Sequence, residues 1–587
     1  MRTRKAKDRS RLIQAAMGQI PCDLTIGNVQ FFNVITGEIY PASVDILDGF
    51  VVLVREEGQE AVLPSKSYYD GHGRYLIPGY IDTHMHIEST MMIPENLARA
   101  ILPWGTTTIC TDPHEIANVM GRFMLENAKK SKLRQYVLAP SCVPSLPGME
   151  NAGAEFLAKE VGELLDMDDV IGIAEIMDYV GVIQDSERMH TIIDEGLRRG
   201  MFLQGHAPYC FGRELAAYRI GGPVSDHESV NADEVRAKLR AGMHINLRAS
   251  SLIDNLSFLV DGCKDQPWRD FVSVCTDDVH AKDLLTVGHI NNVVRKAVAS
   301  GLDGREVVKM ATFNAAREYG FDDLGAIAPG YIADIQLVDA LDGSRPKAVF
   351  TVLVAEDGKY LGGDCKTADY DLPNTVDLPQ ITGPESFELR VPEGYTGDTI
   401  RVNVMVSEDG NRILRHVEPV ELPVRDGVVD ISGDPTLVFV CCANRYGRGG
   451  KTIAVYRDFG LRSGALASTI SHDSHNFTVS YHDPKDAFRA AEILRACGGG
   501  VCVIDGEQET HIALPAAGLM SQKPCAEVAG EIAAVQSALD VISDGQLTLL
   551  ATAVMALPVL PSVVITDMGL VNGANQTFVP VFADAEA

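Results

Sequence analysis

The sequence predicts an α/β protein built on an eight-stranded parallel (β/α)8 barrel, with a small antiparallel sheet before it and a further mixed domain after it. Three observations carry that expectation. Between Tyr75 and about Met310, short apolar runs alternate with helix-like segments, the pattern of a parallel sheet wrapped by helices. Eight such runs can be counted there, over about the ~250 residues that such a barrel needs. Histidines and carboxylates recur directly after these runs, at the strand ends where barrel enzymes keep their active sites.

The N-terminal stretch MRTRKAKDRSRLIQAAMG is basic and lacks an apolar core, so it reads as a short helix or an arm and not as a signal peptide. Over residues 20–72, CDLTIGNVQFFNV, SVDILDG and FVVLVRE alternate apolar and polar residues between Gly and Asn, which predicts the small antiparallel sheet. The eight barrel runs are YLIPGYID from Tyr75, TTTIC from Thr106, QYVLAP from Gln135, VIGIAEI from Val170, MFLQG from Met201, PVSD from Pro223, MHINL from Met243 and FVSVCT from Phe271. PVSD is short and polar, and its place in the count leans on the chemistry that follows it.

After the barrel, ATFNAAREYGFDDLGAIAPGYIADIQLVD leads through a helix and Gly- and Pro-marked turns into the strand ADIQLVD, a return to the first sheet. Residues 363–398 are rich in Pro, Gly and Asp and read as a linker. Beyond them lie strands LVFVCCA and VCVIDG and the helix DPKDAFRAAEILRACG. The run from Leu547 to Thr566 is apolar enough to suggest a membrane span, but Pro558 and Pro561 interrupt it and no basic residues flank it. It predicts a core helix ending near Ala556, then an extended PVLP segment. The expected bounds are 1–74 for the first part of the small β domain, 75–320 for the barrel, 321–362 for the return, 363–398 for the linker and 399–587 for the C-terminal domain.

Composition narrows the function. Hydrophobic residues make up 46% and charged residues 22%, as in globular proteins. With 51 Lys and Arg against 80 Asp and Glu, the net charge is −29, which opposes binding to nucleic acid or an anionic membrane. The twelve cysteines are scattered, with no C-x-x-C, and Cys110, Cys275, Cys441 and Cys442 sit in apolar runs. Reduced, buried thiols in a cytoplasmic protein are the expectation.

The sharpest motif is PGYIDTHMHIEST, with His84 and His86 after an apolar run. In an extended strand, residues two apart point the same way, so H-x-H aims two imidazoles at one place. The fourth run ends in Glu175, the fifth in His206, the sixth in His227 and the eighth in Asp277. Each alone would pass for a core histidine or a solvated carboxylate. Together, four imidazoles and two carboxylates past the ends of five strands point to a metal site at the barrel mouth. Nitrogen and oxygen donors without thiolate favour Mn(II) or Fe(II).

The words HIEST, TDPHEIANV, CTDDV, GALASTISHDSHN and LPAAGLMS resemble those of the bacterial adenine deaminases in the amidohydrolase superfamily, over nearly the whole chain. The resemblance implies a barrel with a flanking β-sandwich and an additional C-terminal α+β domain. It also implies a binuclear metal centre and hydrolytic deamination of free adenine to hypoxanthine and ammonia in purine salvage, by hydroxide attack at C6. His84 and His86 would bind the more buried ion, and His206 and His227 the outer one. Asp277 would touch the inner ion and the attacking hydroxide and relay its proton. Many relatives bridge their ions with a carbamylated Lys on the fourth strand; here Glu175 stands at that strand end, and a carboxylate bridges without modification. Candidates for reading the adenine edge are Glu88, Ser89, His114, Glu115 and Asp278, of which Glu88, His114 and Glu115 equally suit a place behind the ligands or at a helix N-cap.

HDSHN in the last domain (His472, Asp473, Ser474, His475, Asn476) would bind a further metal, cover the barrel mouth or form a hydrogen-bonded turn. Two other readings stand beside adenine deamination. Another cyclic amidohydrolase acting on a different purine or pyrimidine is the first: a dihydropyrimidinase-like enzyme would carry a Lys on the fourth strand, and the HIEST and HDSHN words and the extra domain speak against a guanine deaminase. A barrel kept only as a scaffold would not be expected to fill every ligand position. The expected protein is a cytoplasmic homo-oligomer, a dimer, acting on a small molecule without nucleic-acid or membrane partners.

Overall fold

The computed structural model describes residues 6–56, 58, 62–121, 133–351, 353–362, 373–408 and 411–583. Helix Ala6–Ala16 packs its Leu12 and Ala15 against the first sheet. That sheet begins with β1 (Cys22–Phe32), β2 (Ile39–Leu47), β3 (Phe50–Glu56), β4 (Ser65–Asp70) and β5 (Tyr75–Pro78).

The run expected as the first barrel strand is in fact two strands. Tyr75–Pro78 pairs within the first sheet, and the barrel starts at β6 (Tyr80–Met85). The break falls at Gly79, where a Cβ would lie 2.3 Å from Thr107 Oγ1, so only glycine lets the two sheets approach this closely. The barrel continues with β7 (Thr106–Thr111), β8 (Arg134–Pro140), β9 (Val170–Ile176), β10 (Phe202–Gly205), β11 (Ser225–Asp226), β12 (His244–Arg248) and β13 (Val272–Cys275), all parallel and in sequence order. Its ends nearly close: Met85 bridges Asp277, and the Asp277 amide donates to the His84 carbonyl at 3.0 Å. PVSD contributes only the two residues of β11.

The chain then returns as expected. The strand β14 (Ile335–Val338) runs antiparallel to β5, and β15 (Ala348–Phe350), β16 (Leu353–Glu356) and β17 (Lys359–Tyr360) complete a nine-stranded sheet. Of the expected linker, residues 363–372 lie outside the described residues.

A second nine-stranded sheet spans Thr399 to Ala513, with helices Pro484–Cys497 and Cys525–Ser543 on its opposite faces, and a three-stranded sheet follows from Val563 to Val579. The helix expected up to Ala556 does not form; only Ala553–Ala556 makes one 3-10 turn. The Gln536 side chain ties down the start of the segment, its Oε1 accepting from the Leu549 amide at 3.1 Å and its Nε2 donating to the Leu547 carbonyl at 2.8 Å. Beyond it the backbone closes successive short turns, Ala551 to Thr548, Ala553 to Leu550 and Met555 to Thr552, so its buried groups are met without an α-helix.

This C-terminal domain sits on the barrel mouth. Met91 and Ser521 pair through their backbones, Asn151 binds Asp567 at 2.8 Å, and Asn476 donates to the Asn151 carbonyl at 2.8 Å. One apolar cluster runs from Met85, Met91 and Leu97 to Leu466, Leu519 and Leu539. Among the described residues, every cysteine is a free thiol and no helix is long and apolar enough to cross a membrane.

Candidate active site

His84 and His86, at the end of β6, meet with their Nε2 atoms 3.1 Å apart. Their tautomers follow from what lies behind them. His84 Nδ1 faces Gln204 Oε1 at 2.7 Å, while the Gln204 amide group donates to the Thr83 carbonyl and to Tyr319. His86 Nδ1 faces the Asp112 carbonyl at 3.0 Å. Both Nδ1 atoms therefore carry a hydrogen, and the two Nε2 atoms face one another as the positions that a cation, or in its place a proton, would occupy. Two lone pairs converging this closely require positive charge between or beside them.

Glu175, at the end of β9, divides its two oxygens. Oε1 lies 3.1 Å from His86 Nε2 and 3.4 Å from His84 Nε2. Oε2 lies 3.0 Å from His227 Nε2 and in close contact with His206 Nδ1. His227 stacks on His84 with ring centroids 3.8 Å apart, and neither of its ring nitrogens has a hydrogen-bond partner. Asp277 brings Oδ1 to 3.2 Å from His86 Nε2 and turns Oδ2 to Arg248 Nη1 at 2.9 Å. The six side chains that the strand-end argument singled out thus form one buried cluster of the kind that holds a divalent cation.

The electrostatics agree. Burial opposes charge on His84, but the Glu175 and Asp277 carboxylates overcome it and push it up to about 9. His206 is pushed up to about 9 in the same way, chiefly by Glu175. Burial also works against the Glu175 carboxylate, yet His206, His227 and His84 hold it well below the usual range. Groups so arranged stabilise positive charge among the nitrogens.

A buried Lys braces the segments that carry His206 and His227. Asp226 Oδ2 accepts from the Ala207 amide at 2.9 Å and its Oδ1 from the Glu228 amide at 3.1 Å, which ties together the segments that carry His206 and His227. Lys238 Nζ neutralises Asp226 at 2.7 Å and is fully buried. Lys238→Met should leave a buried carboxylate without its partner, a loss of about 3–5 kcal/mol. Denaturant unfolding measures that loss, and metal analysis of the remaining folded enzyme should show weakened binding at the His206–His227 side. Unchanged stability and metal content would remove Lys238 from this role.

The cavity above the cluster has a volume of about 310 Å³. His86, Arg248, Asp277 and Asp278 line it from the barrel, and His472, Asp473 and the apolar Leu550 and Leu557 line it from the C-terminal domain. His114 also lines it, with Nδ1 3.1 Å from Asp112 Oδ2. Glu88, Ser89 and Glu115 stand one layer back. Ser89 Oγ lies between Asp278 Oδ1 and Glu115 Oε1, and Glu88 Oε1 accepts from the Ile116 amide at 3.3 Å at the start of helix His114–Met120. Burial and the neighbouring Glu115 push the Glu88 carboxyl up to about 7.

Arg248 was not singled out from the sequence. It ends β12, one residue past the run MHINL, and the strand-end rule applied to that run would have found it. Its Nη1 also contacts Glu228, and its buried Nε and Nη2 have no hydrogen-bond partner.

Comparison with known proteins adds to the geometry. Residues 75–363 match the model of the amidohydrolase family, and residues 412–577 match the model of the adenine deaminase C-terminal domain. The chain is 37% identical to adenine deaminase 2 of Carboxydothermus hydrogenoformans, over 97% of this chain and 99% of that one. It is 35% identical to adenine deaminase of Paracoccus denitrificans, over 96% of each. With adenine deaminase of Methanothermobacter thermautotrophicus it shares 38% identity over 86% of this chain and 89% of the relative.

Proposed function

The chain belongs to the adenine deaminase family of amidohydrolases, and we propose that its hydrolysis of adenine to hypoxanthine and ammonia takes place at the strand-end cluster around Glu175. The observation that carries this reading is the division of Glu175, one oxygen towards His84 and His86 and the other towards His206 and His227. His84, His86 and Asp277 would hold the inner of two divalent cations, His206 and His227 the outer, and Glu175 both. The imidazole and carboxylate donor set suits Mn(II) or Fe(II). Cations held there would lower the pKa of water and so supply a nucleophile near neutral pH.

The remaining work falls to the protein's own groups. C6 of adenine is a poor electrophile, so a proton must reach the ring nitrogen beside it and another the departing ammonia. Asp277 faces the ligand cluster through Oδ1 and takes the proton of the attacking water towards the leaving group. Arg248 holds Oδ2 and fixes the rotamer. Asp278 and His114 read the purine edge from the cavity wall, and Ser89, Glu115 and Glu88 hold them in place. The free thiols among the described residues suit a reducing cytoplasm.

The test is to purify the enzyme with Mn(II), follow ammonia release from a panel of purines and pyrimidines, and count ions. Adenine should turn over with two ions per chain, and adenosine and AMP should be poor substrates. Equal rates on adenosine would refute the free-base reading, and full activity with one ion would refute the two-cation centre.

A further inference from the structure

Three carboxylates near the strand-end cluster lack a cation of their own. Asp112, Glu115 and Asp473 are buried around His114, at most 1% exposed, and among the described residues no Lys or Arg pairs with any of them. Buried carboxylates without positive charge beside them are costly. Asp473 comes from another domain. With His472 it follows the strand Ala465–Ser468 of the C-terminal sheet and reaches the barrel mouth, where both line the cavity together with His114.

Donor atoms of the two domains converge there. Asp112 Oδ2 lies 3.1 Å from His114 Nδ1, which places the hydrogen on Nδ1 and leaves Nε2 bare, as in carboxylate–histidine–metal arrangements. That Nε2 stands 3.3 Å from Asp473 Oδ1 yet makes no hydrogen bond. His472 Nδ1 stands 3.7 Å from the same oxygen and 3.8 Å from Glu115 Oε1, beyond hydrogen-bond reach. The three nitrogen and oxygen donors lie within 4.8 Å of one another. Such spacings suit a shared ion, because ligands about 2.0–2.2 Å from one cation stand roughly 3.3–3.6 Å apart at tetrahedral angles. The strand-end cluster spaces its own donors by 3.0–3.5 Å. Burial of the donors is no obstacle, since a cation sits among its ligands, and His227 in that cluster is as buried as His114.

We propose that His114 Nε2, His472 Nδ1 and Asp473 Oδ1 hold a third divalent cation between the barrel and the C-terminal domain, with Glu115 beside it and its remaining position open to the cavity. Two imidazoles, one carboxylate and an open position are a donor set used by Zn(II), and they suit Mn(II) or Fe(II) as well. Cations already held in the strand-end cluster repel this one, so it binds last and most weakly. That order rests on the two-cation centre; the site itself does not. His114 then serves as a ligand in place of reading the purine edge, and the ion ties the C-terminal domain to the barrel.

The experiment titrates the metal-free full chain with Zn(II) and, separately, with Mn(II), and counts bound ions by calorimetry and elemental analysis. The wild-type protein should take up three equivalents, and the first two should restore ammonia release from adenine. His472→Gln and Asp473→Asn should each keep the two tighter equivalents and lose the third. Asp112→Asn leaves all three proposed ligands in place and, by weakening the support of His114, should loosen the third equivalent about 10- to 100-fold. Thermal unfolding gives a second readout: an ion held by both domains should raise the melting temperature as the third equivalent binds, in the wild-type protein and not in the two ligand variants. The same ion count in the wild-type protein and both ligand variants would overturn the proposal and return His114 to the purine edge. So would the loss of one of the two tighter ions in place of the third. The readout is ions bound, so a protein that takes up the third ion but is inert towards adenine overturns the functional reading alone.

Discussion

Glu175→Gln is expected to lose metal and turnover in one step. The native carboxylate is symmetric, and each oxygen offers lone pairs to a cation: one faces His84 and His86, the other His206 and His227. An amide is not symmetric. Whichever way the Gln side chain turns, one histidine pair faces an oxygen and the other an NH2 group that offers no lone pair for a cation. The substitution also removes a negative charge from a fully buried cluster, where charge counts most. Metal content should fall below two ions per chain and kcat by at least about 10²–10⁴-fold, the range for groups that act directly in the chemistry. Bicarbonate should not restore activity, since no Lys carbamate takes part. Metal analysis with ammonia-release kinetics decides the matter: a variant that keeps two ions and normal turnover would move the bridge to another residue.

Six ligand-type residues were legible because parallel strands are buried on both faces and read as continuous apolar runs, which fixes where each strand ends. Only β11 falls below that signal, and there His227 located the strand instead of the reverse. Gly79 shows the limit of the method. Tyr75 to Asp82 is one apolar run in sequence, and only the approach of Thr107 from the next strand shows that it must be divided. The stretch from Leu547 fails for a related reason: apolarity foretold its burial correctly, but apolarity alone does not choose between an α-helix and the successive short turns that form there. Arg248 drew no notice because its meaning lies in Asp277, a residue of the neighbouring strand end. HDSHN stood out by composition, yet its place at the barrel mouth depends on how two domains dock, which no local pattern encodes.

Asp277 and Asp278 are adjacent, and the mechanism assigns them different work, so their Asn variants should diverge. Residue 277 has a φ of +59°, in the left-handed region that Asn tolerates as Asp does. Asp277→Asn therefore leaves the backbone comfortable and tests the carboxylate itself. An amide cannot take the proton of the attacking water, and it gives His84 and His86 a weaker neighbour. A fall of about 10²–10⁴-fold in kcat is expected from lost proton transfer, with disturbed metal binding in addition. Arg248 would keep Glu228 as a partner, so the protein should still fold. Asp278 lines the cavity and is fixed by Ser89. If it only reads the purine, Asp278→Asn should act mainly on KM, by the ~1.5–3 kcal/mol of one hydrogen bond to a charged group. If instead it serves the turn before helix Ala281–Thr286, the melting temperature should drop with kinetics unchanged. Measuring kcat, KM, metal content and melting temperature on both variants separates these outcomes. An Asp277→Asn enzyme with two ions and wild-type kcat would end the case for Asp277 as proton relay.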